Sequence, residues 1–190
     1  MILDKAKIKI FSQIGMRATF GMLCLELVKN NNNLMVCTAD VSTSAGLDRY
    51  RKKYLDNYVD VGIAEQNLIG IASGLSNCGY VPFVYTISNF LVHRCFEQIR
   101  NDIDYHNLSV TVVSVGSGLG YGNLGYSHHA IQDFALMRSF PNTLIASPSN
   151  NQEVESSIGF LLKNPQPSYL RLDKALELNT QKKINSFNSS

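Results

Sequence analysis

Short apolar runs and helix-length stretches alternate from one end of this chain to the other, and that alternation leaves few folds open. Strand-like runs occupy 34–39, 58–62, 81–85, 110–115, 143–146 and 168–172. Val110-Thr111-Val112-Val113-Ser114-Val115 is the clearest of them. Between them lie helical stretches at 16–29, 64–77, 89–104, 131–140 and 150–163. In the first, apolar residues recur at Phe20, Leu23, Leu27 and Val28, a helical spacing. Residues 42–57 are polar and read as irregular. The pattern predicts an α/β fold: a parallel sheet with helices on both faces.

The length of 190 residues predicts one domain, placed at 16–175. An arm or short helix precedes it over 1–15, and a polar tail over 176–190 is expected to be disordered. The composition is 45% hydrophobic and 17% charged, enough for a core and sparing in charge, as suits a surface covered by a partner. A net charge of +2 gives no argument for nucleic acid or a membrane surface. No apolar run approaches the roughly 20 residues of a membrane span, and the first residues carry no apolar signal core. The four cysteines lie far apart without a C-x-x-C pair. They read as core hydrophobes of a reduced, cytoplasmic protein, with no disulfide and no metal.

Open α/β sheets bind ligands beyond the carboxyl ends of their strands. Polar groups gather at those exits here: Asp40, Glu65, Tyr85-Thr86 and a glycine-rich loop at 116–125. Tyr58-Val59-Asp60-Val61-Gly62-Ile63-Ala64-Glu65 reads as a buried strand that stops at a glycine and passes to a helix opening on a carboxylate. Val61, Ile63, Leu68 and Ile69 would disfavour the ionised form of Glu65, so that it can carry a proton near neutral pH. Gly120-Tyr121-Gly122-Asn123-Leu124-Gly125 fits G-x-G-x-x-G. The dinucleotide reading is disfavoured, because no helix follows tightly and no acidic residue suits the ribose. A surface loop, or a loop whose backbone approaches a ligand closely, remains. His128 and His129 follow it, with no spacing that suggests zinc.

Four blocks then resemble the pyrimidine-binding domain of the transketolase family of thiamine diphosphate enzymes. They are Asp60-Val61-Gly62-Ile63-Ala64-Glu65-Gln66-Asn67; Tyr85-Thr86-Ile87-Ser88-Asn89-Phe90 with Arg94 and Phe96-Glu97-Gln98-Ile99-Arg100; Gly125-Tyr126-Ser127-His128-His129-Ala130-Ile131-Gln132-Asp133; and Ala135-Leu136-Met137-Arg138-Ser139-Phe140-Pro141-Asn142. The resemblance implies that Glu65 is the catalytic glutamate that hydrogen-bonds N1′ of the cofactor's aminopyrimidine and promotes its imino tautomer. It implies that Phe90 stacks on the pyrimidine, with Ile87 and His93 at neighbouring cofactor positions. Asp40 and Val41 match a turn that meets the cofactor and the partner subunit. Arg17, Ser44 and Arg171 fall where transketolases bind a sugar phosphate. His128, with His129, falls where substrate oxygens are handled.

Two departures qualify the resemblance. The loop before His128 carries Asn123 and Leu124 where transketolases hold an acidic pair, and Gly116 replaces a histidine. A sugar other than the ordinary pentose phosphates, modified or nucleotide-linked, becomes plausible. There is also no Gly-Asp-Gly segment of the kind that holds Mg²⁺ and the diphosphate. The resemblance therefore implies a split enzyme, in which a diphosphate-binding subunit supplies Mg²⁺ ligation and completes a hetero-oligomer, expected to be a heterotetramer. The expected reaction is transfer of a two-carbon ketol unit between sugar substrates. The alternatives are a subunit of a deoxyxylulose-phosphate-synthase-like or dehydrogenase-β-like enzyme, or a non-catalytic scaffold.

Overall fold

A computed structural model describes residues 5–174, so the expected tail over 176–190 and the first four residues lie outside the described residues. Six strands form one parallel sheet: β1 (Leu34–Thr38), β2 (Tyr58–Asp60), β3 (Val81–Ile87), β4 (Thr111–Val115), β5 (Leu144–Ala146) and β6 (Ser168–Leu172). Their order is β2-β1-β3-β4-β6-β5, with every neighbouring pair parallel. The chain leaves β1 towards β2 on one side and β3 towards β4 on the other. The crevice between the carboxyl ends of β1 and β3 is thus a topological switch point, where such sheets bind ligands.

Strand periodicity sorts the core into two layers. Leu34, Val36, Phe83, Tyr85, Val113, Val115, Leu170 and Leu172 face α1 (Lys5–Leu27) and α7 (Asn151–Lys163). Met35, Cys37, Val84, Val112 and Tyr169 face the other way, onto α3 (Glu65–Asn77), α4 (Ser88–Arg94) and α6 (Asp133–Met137). Phe20 stacks on Tyr85 at 5.3 Å beneath α1. The helices α1 and α7 pack against each other across this face. Asn150 caps α7, its side chain accepting from the Glu153 amide at 2.9 Å.

Several expectations change. The span Tyr58–Asp60 is not a buried strand but the sheet's edge, half-covered and ending two residues early. Residues 42–57 are not irregular: a helical turn at Thr43–Ala45, α2 (Asp48–Lys53) and a turn at Leu55–Asn57 bury Ala45, Leu47 and Tyr50. These turns are too short and too polar for periodicity to reveal. From Lys5 onward the expected arm is helical and forms the first part of α1, which breaks at Gly15 (φ 71, ψ 166). The expected helix at 89–104 divides at Cys95 into α4, α5 (Phe96–Gln98) and a π-helical segment, Ile99–Asp104. Leu91, Cys95, Ile99 and Ile103 are all buried at a spacing of four. A straight α-helix rotates such a set by about 40° per step; the wider π turn takes up that drift and keeps the set inward. The helix expected over 131–140 shrinks to Asp133–Met137. Of the cysteines, Cys24, Cys37 and Cys95 are core residues as expected, whereas Cys78 is exposed. No helix among the described residues is long and apolar enough to cross a membrane.

Candidate active site

The edge strand β2 delivers the chain to the rim through Gly62, whose φ of 70° is one that residues with a Cβ rarely adopt. Glu65 then opens α3, which packs on β3 and β1, so its carboxyl is carried inward from the edge towards the switch point. Its side chain is 4% exposed. A carboxylate here gains from the amino-terminal end of the helix dipole. The surround is not the purely apolar one expected, because Ile63 is turned out to solvent and an arginine lies against the carboxyl. Arg94 donates from Nη1 to Glu65 Oε2 at 2.6 Å.

That guanidinium also lies over the Phe90 ring, 4.9 Å from its centroid. His128 and Phe90 make a T-shaped contact with ring centroids 5.0 Å apart, and Tyr121 follows at 5.7 Å from His128. Glu65, Arg94, Phe90, His128 and Tyr121 thus form one continuous strip along the carboxyl edge. The strip is tied by Asn89 Nδ2, which donates to the Ser127 carbonyl at 2.6 Å. His128 Nδ1 is engaged with Ser127 Oγ at 3.0 Å, leaving Nε2 as its outward nitrogen.

The remaining expected residues distribute unevenly. Ile87 ends β3 and pairs in register with Val115, directly before Phe90's helix. His93 is exposed, its Nδ1 3.2 Å from the Asn89 carbonyl, and joins no ring contact. His129 Nε2 lies 2.8 Å from the Gly122 carbonyl, to which it donates; it braces its own loop and is not part of the strip. Asp40 takes a φ of 57° after β1, and its amide donates to Asp60 Oδ1 at 2.9 Å. Val41 packs on the α1 layer of the core, and Ser44 donates to the Val41 carbonyl. Arg17, half-buried on α1, lies close enough to Tyr85 and Tyr121 to oppose the upward push that burial gives both phenols.

Arg171 is not brought together with Arg17. It extends from β6 on the opposite face and donates from Nε to Asp133 Oδ2 at 2.6 Å. Its guanidinium lies over Phe134. Asp133 is fully buried and also accepts from the Tyr169 hydroxyl at 2.7 Å, which in turn accepts from Ser114.

Sequence reading assigned no role to three residues that shape the rim. Arg94 is one; its position four residues after Phe90 on a helix was the available signal for their contact. Tyr121 is the second, its ring filling the space above Gly116 (φ 88°), where a side chain's Cβ would collide with it. Lys174 Nζ stands over that ring, 4.4 Å from its centroid. Asp60 is the third. It accepts from the Gly62 amide at 3.1 Å as well as from Asp40, a turn signature legible as an aspartate two residues before a glycine. Burial works against ionisation of Asp60, but the amides of Asp40 and Gly62 and the Tyr58 and Thr38 hydroxyls outweigh it and hold the carboxyl below its usual range. Among the described residues, no three histidine, cysteine or acidic side chains gather to hold a metal.

Residues 12–177 match the family described as transketolase, pyrimidine binding domain. The chain is 32% identical over 164 residues to one subunit of the apulose-4-phosphate transketolase of Phocaeicola vulgatus, covering 86% of this chain and 53% of that protein. It is 37% identical over 149 residues to the same subunit of the enzyme from Actinobacillus succinogenes, covering 78% and 48%. It therefore spans about half the length of these relatives. Its structure superimposes on a split-gene transketolase, described as an inactive β4 tetramer, with a TM-score of 0.78 and 32% identity over 92% of this chain and 56% of that one.

Proposed function

This chain belongs to the transketolase pyrimidine-binding-domain family, and on that premise we propose that it supplies the pyrimidine half of a thiamine diphosphate-dependent enzyme moving a two-carbon ketol unit between sugar phosphates. The observation that carries the proposal is the strip at the switch point. A buried carboxyl stands beside an aromatic ring and a histidine, all reached from one crevice. The donor set suits an aminopyrimidine: Glu65 Oε1 makes no hydrogen bond among the described residues, and Phe90 offers a half-covered ring face next to it.

When bound, the cofactor supplies the nucleophilic carbon that such a transfer requires. Glu65, its Oε2 held by Arg94, would use Oε1 to hold and share a proton with the aminopyrimidine. Phe90 would hold the pyrimidine against its ring and exclude water from that proton. His128, its Nδ1 occupied by Ser127, presents Nε2 to a substrate oxygen. Arg17, half-buried on α1 and electrostatically felt by the Tyr85 and Tyr121 phenols, would offer a cation for a phosphate. Arg171 is committed to Asp133 and supports the rim from below.

A separate diphosphate-binding chain carrying a Gly-Asp-Gly segment supplies the Mg²⁺ ligands and the other wall of the site. The relatives, each named as one subunit of a sugar-phosphate transketolase, support both the partner and the substrate class. The test is reconstitution with such a chain, assayed with a ketose-phosphate donor and an aldose-phosphate acceptor. Glu65→Gln is expected to abolish turnover with the complex still assembled by sedimentation. Undiminished turnover in that variant removes Glu65 from the mechanism and the proposal with it.

A further inference from the structure

We infer that Arg94 is the positioning residue for Glu65, holding the carboxyl by one oxygen so that the other faces the crevice. The inference rests on the proposed role of Glu65. Three contacts converge on Arg94. Its Nη1 donates to Glu65 Oε2 at 2.6 Å, a charge-assisted bond at the short end of the range. Its guanidinium plane lies over Phe90 at 4.9 Å, within the reach of a cation–π contact. Its backbone carbonyl accepts from Gln66 Nε2 at 3.0 Å, tying the end of α4 to the residue next to Glu65.

The arrangement is asymmetric in a way that serves a proton-sharing carboxyl. A glutamate has three rotatable side-chain bonds, and at a helix start it can turn outward to solvent. Here Oε2 is occupied, the side chain is 4% exposed, and Oε1 is left without a partner among the described residues. The same guanidinium fixes the neighbouring ring, so one side chain sets the distance between the carboxyl and the aromatic surface. Arg94 itself is 46% exposed, so its burial contributes little to the core. A purely structural ion pair would more naturally be judged by its effect on folding, which at this exposure is small.

The experiment uses the reconstituted complex and reads cofactor affinity by calorimetry alongside turnover. Arg94→Gln is expected to weaken thiamine diphosphate binding about tenfold and to lower kcat more than tenfold, with KM for both sugars within about twofold. Arg94→Lys, which keeps the charge but not the fork or the plane, is expected to recover part of the affinity and little of kcat. In a double-mutant cycle on cofactor affinity, Glu65→Gln is expected to cancel most of the effect of Arg94→Gln. Additive effects in that cycle, or an Arg94→Gln complex with wild-type affinity and kcat, overturn the inference. Retained turnover in Glu65→Gln overturns the parent proposal instead, so the two failures are distinct. Melting temperature and assembly are followed throughout; a loss of affinity that merely tracks unfolding also counts against positioning.

Discussion

Asp133 illustrates how much a single residue here depends on partners far away in sequence. It is fully buried, and its carboxylate is held by Arg171 Nε at 2.6 Å and by the Tyr169 hydroxyl at 2.7 Å. Tyr169 also touches Ser88 Oγ at 3.1 Å, so the network reaches the first residue of α4, which carries Phe90. Removing one partner of a buried pair leaves the other uncompensated, at a cost of about 3–5 kcal/mol. Asp133→Ala is expected to lower the unfolding free energy by about 3 kcal/mol in urea titration. A loss below about 1 kcal/mol would show that the network is not buried in solution. The same residues explain a limit of sequence reading. Arg171 is visible as a charge near a strand's exit, and a phosphate is one partner such a charge can have. Its actual partner lies 38 residues earlier and carries no local mark.

At the scale of elements, the rim is built by short turns that hydrogen bonds lock at the ends of parallel strands. Asp60 is the pin between two of them, because one carboxylate oxygen accepts from the amides of both Asp40 and Gly62. It thereby steadies the left-handed backbone at Asp40 and the glycine turn that launches α3. Asp60 is held below its usual range against the opposing effect of burial. A carboxyl depressed in the folded state contributes stability above its unfolded value of about 3.9 and loses it as pH falls through the folded one. Asp60→Asn is therefore expected to be less stable than the parent at pH 7, by under about 1 kcal/mol given its exposure. The gap should close as pH falls below about 4. Urea titrations across that range check it, and a gap constant down to about pH 2 would contradict the assignment. Elements of this kind divide cleanly by legibility. All six strands show as short apolar runs, and α3 and α7 as helix-length stretches between them. The turns at 43–57 do not, since Ala45, Leu47 and Tyr50 are buried by tertiary packing against α1 rather than by any period of their own. The division of α4 from the π segment is equally hidden, because a spacing of four reads as an ordinary helix until the face it must cover is known.

At the scale of the whole molecule, five of the nine exposed large apolar side chains among the described residues lie on one edge. Ile63, Leu119, Leu124, Tyr126 and Ile131 are all solvent-facing, and all lie beyond the carboxyl ends of the strands, around the strip that holds Glu65, Phe90 and His128. Apolar exposure grouped around a site marks a surface that something covers. The proposed function names what covers it: the diphosphate-binding chain, which must close over the crevice for the cofactor to be held at both ends. The alternation of strands and helices fixed which edge this would be, but not which loop residues would stand proud on it, since that depends on the turns at Gly62 and Gly116. Ile63 is the most direct probe, being 77% exposed and two residues from Glu65. Ile63→Asp is expected to leave the chain's melting temperature unchanged, as an exposed side chain contributes little to folding. Its affinity for the diphosphate-binding chain, measured by sedimentation without cofactor or sugar so that catalysis does not enter, is expected to fall about tenfold or more, because a charge would be buried without a partner. Leu55→Asp is the control. Leu55 is 72% exposed but precedes β2, at the amino edge of the sheet, away from the site. Weakening by Ile63→Asp alone places the partner on the carboxyl edge; equal weakening by both, or by neither, places it elsewhere.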